Sequence, residues 1–216
     1  MVQCSGSGRA GRFALSLILA LLLLGQSPLS GQERPLVMLD PGHGGEDSGV
    51  VEGDLVEKDL VLRIAFAMGA ELVKNGFDVR LTRSGDEEVA WEDRRALAEA
   101  AGAALLLMLH LNADEDRTRH GAEVYADLEN PTSARAAETV AEALREAGSE
   151  VVVEERPWPF LQSTTVPTVM IELAFLTHPV EQRLVQSEAF HRELGEVMVR
   201  ATRRFLEESG EPLPPG

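Results

Sequence analysis

The stretch PLVMLDPGHGGEDSG, residues 35–49, decides the fold because it joins an apolar run to a loop rich in glycine. The run PLVML is followed by Asp40 and predicts a buried β-strand. The loop places His43 among Gly42, Gly44 and Gly45, which allow positive φ and close approach of the backbone to other groups. A buried strand that turns sharply and leads into a helix predicts the first βα unit of an α/β fold.

Apolar runs of strand length alternate with helical periodicities along the rest of the chain. Strands are predicted at FDVRLTR, ALLLMLH, GAEVYAD, EVVVE and VPTVMIELAF. Helices are predicted over EKDLVLRIAFAMGAELVKNG, WEDRRALAEAAGA, SARAAETVAEALREAG and, as one or two helices, VEQRLVQSEAFHRELGEVMVRATRRFLEES. Wholly apolar strands require a sheet that is covered on both faces. The sequence therefore predicts a single α/β domain over residues 35–208, with a twisted, mostly parallel sheet covered by helices on both faces.

The first 31 residues have the three-part layout of a secretory signal peptide. Arg9 and Arg12 precede the uncharged run FALSLILALLLLG, and small or turn-forming residues follow it. The run is shorter than the ~20 residues that a membrane-spanning helix needs, although an uncleaved N-terminal anchor is the alternative. Cleavage would remove Cys4, the single cysteine, and with it any disulfide or thiolate metal site. We therefore expect an exported protein with no transmembrane helix in its mature chain and a proline-rich tail at residues 209–216.

The composition favours some classes of partner over others. The 216 residues carry 36 acidic and 20 basic side chains, which gives a formal net charge of -16. A chain without a basic surplus is poorly suited to neutralise phosphates, and this argues against nucleic acid as a partner. A positively charged partner, or a neutral sugar or peptide polymer, fits better. The sequence also contains no GxGxxG, P-loop or GxSxG element, which argues against nucleotide binding and serine hydrolase chemistry.

Polar side chains follow or end three of the predicted buried strands. His43 comes after the first strand, His110 and Asn112 end the run LLLML, and Glu172 ends the run TVMI. Because the carboxyl ends of parallel strands lie at one edge of a sheet, we expect these side chains to meet there. Glu57 begins the helix that leaves the glycine loop, so it should lie at the same edge.

Two histidines and one carboxylate suffice to bind zinc and leave one coordination position open, as in catalytic zinc sites. Such an ion lowers the pKa of water and polarises a carbonyl group, and a second carboxylate can pass a proton to a leaving amine. Spacing alone does not say whether Glu57 or Glu172 is the ligand. An ordinary turn with a solvated His43, and a hydrogen-bonded His110 at a strand end, is the simpler interpretation. It accounts less well for Glu172, since a buried carboxylate without a partner is costly.

Three further histidines are expected outside this site. His120 falls in a charged loop and is expected in solvent. His178 precedes a proline and is expected in a loop, with a position beside the site as the alternative. His191 falls in a charged helix and is expected at the surface.

Seven segments occur in the order and spacing of one known family. The segments VMLDPGHGGEDSG, VEKDLVLRIA, DVRLTR, WEDRRALA, LLLMLHLNA, GAEVY and VPTVMIELAFLTHP resemble the zinc-dependent N-acetylmuramoyl-L-alanine amidases of the amidase-3 type. The resemblance extends over residues 36–206, and its DPGHGG, EKD, HxNA and ELxF elements are specific in combination. It implies an α/β fold around a mostly parallel sheet. It also implies hydrolysis of the amide bond between N-acetylmuramic acid and the first L-alanine of the peptidoglycan stem peptide.

The resemblance assigns roles to individual residues. It implies three zinc ligands, His43, Glu57 and His110, and one catalytic glutamate, Glu172, that acts first as a base and then as an acid. Asn112 and Gln162 are candidate substrate contacts. The chain departs from the family at Leu111, where alanine is usual, and at Gln162, where arginine is common. An asparagine-aspartate pattern of the family is replaced by Glu99 and Ala104.

Two other functions stay open; the departures motivate the first, and the same chemistry would serve the second. One is a catalytically silent wall-binding or regulatory module that keeps the fold. The other is a zinc peptidase that cuts within the stem peptide. For the amidase, the expected partners are peptidoglycan and an activator protein, without nucleic acid, and the expected state is a monomer. The predicted signal peptide indicates a location in the periplasm, elsewhere in the cell envelope or outside the cell.

Overall fold

The computed structural model describes residues 34–162 and 164–214. The predicted signal peptide, Cys4 and the last two residues of the predicted tail lie outside these ranges. The strands within them are β1 (Leu36–Pro41), β2 (Val51–Glu52), β3 (Leu55–Val56), β4 (Asp78–Leu81), β5 (Leu105–Asn112), β6 (Ala122–Ala126), β7 (Val151–Glu155) and β8 (Thr168–Phe175). The helices are α1 (Glu57–Lys74), α2 (Trp91–Ala100), α3 (Pro131–Glu146), α4 (Glu181–Leu184) and α5 (Glu188–Ser209).

Six of the described strands form one sheet in the order β4-β1-β5-β8-β6-β7. Every neighbouring pair in it is parallel except β6 and β8, which run antiparallel. The short strands β2 and β3 pair separately as an antiparallel hairpin just before α1. The predicted α/β domain with a mostly parallel sheet is therefore confirmed, and β5 and β8 lie at the centre of the sheet.

The two faces of the sheet are covered in different ways. On one face, alternate strand residues such as Leu107 and Ile171 pack with the apolar sides of α1, α3 and α5 in the larger core. On the other face, residues such as Met108 and Met170 pack with α2 and with Trp158, Phe160, Leu161 and Val166. Helices therefore cover both faces as predicted, but an irregular segment supplies much of the second layer.

Local sequence signals account for the ends of several elements. The side chain of Asn130 accepts hydrogen bonds from the backbone N–H groups of Thr132 and Ser133, and Pro131 occupies the first turn of α3. This combination satisfies free N–H groups at the start of a helix. Gly210 ends α5 in the left-handed conformation, which glycine adopts without a Cβ clash. Within the described residues, none of the helices is both long and apolar enough to cross a membrane.

Two details of the sequence analysis are corrected. Glu172 does not end its strand, because β8 continues to Phe175. His191 is buried and not at the surface, because the chain turns back between α4 and α5. Its Nε2 lies 2.7 Å from the carbonyl oxygen of Val185, just after the end of α4. A helix end leaves carbonyl groups without partners inside the helix, and His191 binds one of them.

Candidate active site

Two of the predicted residues lie side by side at the centre of the sheet. His110 of β5 and Glu172 of β8 are direct partners in the parallel register. Since alternate residues of a strand share a face, both side chains project to the same side as Met108 and Met170. The register changes just beyond this pair, between His110 and Asn112. The site therefore lies on the face of the sheet that α2 covers, near the carboxyl ends of the strands. The sequence analysis expected it at the edge formed by those ends.

His43, Glu57 and His110 come together although they are far apart in the sequence. The Nε2 atom of His43 lies 3.0 Å from Oε1 of Glu57 and 3.1 Å from Nδ1 of His110. The same Nδ1 atom lies 3.2 Å from Oε1 of Glu57. These three atoms form a nearly equilateral triangle of potential ligands, and the group is one that could hold a metal ion.

The size of this triangle fits a zinc ion. Nitrogen and oxygen ligands bind zinc at about 2.1 Å with tetrahedral angles, which places neighbouring ligand atoms roughly 3.3 Å apart. The observed separations of 3.0–3.2 Å are close to that value. Two imidazoles and one carboxylate are also ligands that zinc accepts. The residues present therefore fit the metal that the sequence analysis predicts.

Glu57 is held in an ionised state at the start of α1. Its Oε2 accepts a hydrogen bond of 2.8 Å from the N–H of Val50, and its Oε1 accepts one of 2.9 Å from the N–H of Leu111. Burial by itself raises the pKa of Glu57, but the contacts with His110 and His43 outweigh it and lower the pKa to about 2. An ionised and fixed carboxylate is what a metal ligand requires.

A second carboxylate orients His43. Nδ1 of His43 lies 2.8 Å from Oδ2 of Asp47, which directs Nε2 of the ring toward Glu57. Burial lowers the pKa of His43, but the contacts with Glu57 and Asp47 raise it by more, so the net pKa is above the ordinary value. Metal-binding histidines commonly use one nitrogen for the metal and the other for such a carboxylate.

Two buried arginines fix the loop that carries His43, and the sequence analysis did not identify them. Nε and Nη2 of Arg83 donate to the carbonyl groups of residues 41 and 42 at 2.9 and 2.8 Å. Arg94 donates to the carbonyl groups of residues 41 and 43 at 3.0 and 2.8 Å and forms an ion pair of 2.7 Å with buried Asp40. Three successive carbonyl groups are thereby satisfied while His43 keeps φ at 59°.

Two glycines leave room for the ligands. A Cβ at Gly42 would lie 2.2 Å from Cε1 of His110, and one at Gly49 would lie 2.5 Å from Oε2 of Glu57. Gly42 does not have a positive φ, so the close approach to the imidazole is what requires glycine there. Positive φ occurs instead at Gly44 and Gly45, and at His43 itself.

Glu172 differs from Glu57 in having a carboxyl oxygen without a hydrogen bond. Among the described residues, its buried Oε2 atom has no hydrogen-bond partner. Burial, reinforced by the negative charges of Glu57 and Glu123, raises the pKa of Glu172 to about 8. Glu123 is its register partner on β6. A carboxyl group with a pKa near neutral is suited to accept and return a proton.

The two predicted substrate contacts lie in different surroundings. Asn112 lines the same cleft as Glu172, and its side-chain amide donates a hydrogen bond of 2.8 Å to Oε2 of Glu123. Gln162 lies at the end of a turn, where its backbone N–H donates a hydrogen bond to the carbonyl oxygen of Trp158. Among the described residues, those that line the cleft do not include Gln162.

The cleft has a volume of about 580 Å³ and opens above the ligand triangle. Its aromatic side consists of Trp91, Trp158 and Phe160, which the sequence analysis did not single out. The available sequence signals were the arginine that ends the predicted strand FDVRLTR, for Arg83, and the tryptophan that begins the predicted helix WEDRRALAEAAGA, for Trp91. The remaining lining residues are His43, Gly49, Val50, Glu57, His110, Leu111, Asn112, Ala113, Met170 and Glu172.

Comparison with known proteins places this geometry in a family. Residues 37–204 match the family model Amidase_3, described as N-acetylmuramoyl-L-alanine amidase. The chain belongs to this family. A germination-specific N-acetylmuramoyl-L-alanine amidase of Bacillus subtilis is 29% identical to it over 202 residues, covering 86% of this chain and 84% of that protein. The family resemblance found in the sequence is therefore confirmed, and the protein is an amidase of the peptidoglycan-hydrolysing class.

Solved structures agree with the fold of this amidase. An N-acetylmuramoyl-L-alanine amidase from Clostridium difficile 630 superposes with a TM-score of 0.77 at 30% identity, covering 82% of this chain and 99% of that one. The CwlD amidase from Clostridioides difficile, solved in complex with the GerS lipoprotein, superposes with a TM-score of 0.76. It is 22% identical and covers 81% of this chain and 100% of that one, so it supports the fold alone.

Proposed function

We propose that this amidase is zinc-dependent, with His43, Glu57 and His110 as ligands and Glu172 as the proton-transfer group. The proposed reaction is hydrolysis of the amide bond between N-acetylmuramic acid and the first L-alanine of the stem peptide. The observation that carries the proposal is the triangle of ligand atoms, 3.0–3.2 Å on each side, next to a buried carboxyl oxygen without a partner.

The proposed roles follow from the environment of each side chain. A zinc ion at this site supplies a Lewis acid that polarises the amide carbonyl and lowers the pKa of water. Glu172 accepts a proton from the water that attacks the carbonyl carbon. It then returns the proton to the nitrogen of L-alanine as the C–N bond breaks. The lactyl group keeps the oxygen of the water in a new carboxyl group, which then releases its proton to solvent. The peptide leaves with a free amine.

Different environments separate the roles of the two glutamates. Glu57 receives two backbone N–H groups and contacts two imidazoles, which keep it ionised and suit it to hold a cation. Glu172 receives none of these contacts, so it exchanges a proton closer to neutral pH. Two carboxylates with pKa values driven apart by their surroundings are typical of sites that need one fixed charge and one proton carrier.

The setting of the enzyme is proposed from the sequence and from relatives. We infer that the chain is exported, with residues 1–31 as its signal peptide, and that it meets peptidoglycan in the periplasm or elsewhere outside the cytoplasm. The CwlD amidase was solved in complex with the GerS lipoprotein, so a protein partner can bind an amidase of this fold. We propose an activator protein as a second partner for this chain. We propose a monomer as its own oligomeric state.

Product identification tests the proposed function. Purified protein with measured zinc content is incubated with sacculi and with defined muropeptides, and the products are identified by mass spectrometry. We expect peptides that begin with a free L-alanine amine, intact glycan, loss of turnover with a chelator and recovery with zinc. Cleavage only within the peptide would favour the peptidase, and zinc without turnover would favour the silent module.

A variant at Glu172 tests the assignment of the proton carrier separately. Glu172→Gln keeps the size of the side chain but cannot exchange a proton. It retains all three proposed zinc ligands, so we expect it still to bind zinc. Its turnover should fall by roughly 10²–10⁴-fold, the usual contribution of general acid-base catalysis. Turnover within a few-fold of wild type would refute the role of Glu172 and leave the metal site untouched.

A further inference from the structure

The two histidines of the site differ in how their second nitrogen is held. Nδ1 of His43 is bound to Asp47, as is common for a metal ligand. Nε2 of His110 is buried and, among the described residues, has no hydrogen-bond partner. If Nδ1 of His110 faces the metal, the proton of the neutral ring is on Nε2. The orientation of this imidazole must therefore be fixed by something other than a hydrogen bond.

The indole of Trp91 packs against this ring, together with the edge-on ring of His43 and the backbone of Gly42. The rings of Trp91 and His110 stack with their centroids 5.8 Å apart and their planes at 18°. Trp91 is the first residue of α2, and the guanidinium of Arg94, one turn along the helix, lies 5.5 Å from the centre of its ring. Arg94 also binds the loop of His43. The start of α2 therefore supports both histidines, one through its backbone loop and the other through its ring.

The stack continues away from the metal site and reaches another segment. Phe160 lies 4.2 Å from Trp91 with an interplanar angle of 15°, and Trp158 lies 5.5 Å from Phe160 at 23°. Tyr125 of β6 closes the row by meeting Trp158 edge-on at 5.4 Å. Near-parallel aromatic rings at these distances attract each other beyond simple area burial. Trp91 thus stacks on Phe160 as well as on His110, so a shift of its ring would disturb both contacts.

We propose that Trp91 is a positioning residue for the metal site. Its ring, supported by Phe160, holds the imidazole of His110 with Nδ1 toward the metal and replaces the hydrogen bond that the second nitrogen lacks. The proposal rests on the metal ligands of the proposed function. It predicts that zinc affinity depends on a planar ring at position 91, although no atom of Trp91 is a ligand.

Zinc affinity measured by competition with a chromophoric chelator tests this role. We expect Trp91→Leu, which keeps an apolar group but removes the planar ring, to weaken zinc binding by roughly 10–100-fold, the usual effect of losing a group that orients a ligand. Trp91→Phe keeps a planar ring and should recover most of that loss. Leu161→Ala is the matched control, because Leu161 is buried in the same apolar cluster but is not among the residues that line the cleft.

Cobalt substitution adds a spectroscopic readout that folding stability does not change. The visible absorption of Co²⁺ reports the geometry of its ligands, so Trp91→Leu should alter the band while Leu161→Ala leaves it as in the wild type. Wild-type zinc affinity and spectrum in Trp91→Leu would overturn the proposal, as would equal losses in Leu161→Ala. If Trp91→Leu does not fold, Phe160→Leu should weaken zinc binding by a smaller factor, and an unchanged affinity would overturn the proposal. Absence of zinc binding by the wild type would instead refute the proposed function.

Discussion

Replacing Glu172 by glutamine should stabilise the metal-free protein while it removes catalysis. The carboxyl group is buried beside Glu57 and Glu123, and these surroundings raise its pKa to about 8 from an ordinary value of 4.5. Below pH 4.5 the group is protonated in both the folded and the unfolded chain, so its ionisation does not change the free energy of unfolding. Between pH 4.5 and 8 the folded chain holds a proton that the unfolded chain has released, so stability falls as the pH rises.

The size of the effect follows from the two pKa values. One pKa unit corresponds to about 1.4 kcal/mol, so the ionised Glu172 destabilises the folded chain by at most about 5 kcal/mol above pH 8. Glutamine has no charge at any pH and should escape this cost. The free energy of unfolding of Glu172→Gln minus that of the wild type should therefore grow by several kcal/mol between pH 5 and pH 9. Bound zinc should reduce the difference, because a cation favours the ionised carboxylate.

Urea unfolding at a series of pH values, with a chelator present, measures this difference. Glu57 does not titrate between pH 5 and pH 9 in either protein, since the stabilisation from its lowered pKa is present above pH 4.5 and is lost toward pH 2. The exposed Glu207→Gln is the control and should show no change with pH. A difference between Glu172→Gln and wild type that stays constant from pH 5 to pH 9 would refute the argument, whatever its absolute size.

Three further substitutions test the support of the ligands. Gly42→Ala should abolish zinc binding, because its Cβ would lie 2.2 Å from Cε1 of His110. Isothermal titration with zinc measures the affinity, and a wild-type value would contradict the prediction. Arg94→Leu should lower the free energy of unfolding by about 3–5 kcal/mol, since it leaves the buried carboxylate of Asp40 without its ion-pair partner. A loss below 1 kcal/mol in urea unfolding would contradict the stabilising role of this ion pair. Asp47→Ala should weaken zinc binding by roughly 10–100-fold in the same titration without affecting the fold, because His43 loses the partner that orients it.

The fold could be predicted from the sequence because its signals are local and redundant. Continuous apolar runs gave β1, β5 and β8, and helical periodicity gave α1, α3 and α5. The antiparallel pairing of β6 with β8 was not predictable, since it depends on which neighbours are left for β6 once the parallel strands have paired. His191 shows a similar limit, because its burial comes from a turn between two helices and not from the polarity of its own helix.

The members of the candidate site could be named from the sequence, but the contacts that support them could not. Position singled out His43, Glu57, His110 and Glu172, the family resemblance assigned their roles, and the structure brings the first three within 3.2 Å of each other. Their roles as ligands and proton carrier stay predictions. Contacts such as those of Arg94 join residues more than fifty positions apart, so no spacing rule reveals them. The roles of Asn112 and Gln162 stay predictions, because they concern a substrate.

The pairing of His110 with Glu172 across two central strands has a consequence for how this protein can change over time. The distance between a proposed metal ligand and the proposed proton carrier is set by a backbone ladder that four other strands enclose. Segments at the periphery can therefore lengthen, shorten or acquire new binding surfaces while that distance stays constant. New specificity can arise at the margins of the molecule without rebuilding its chemistry.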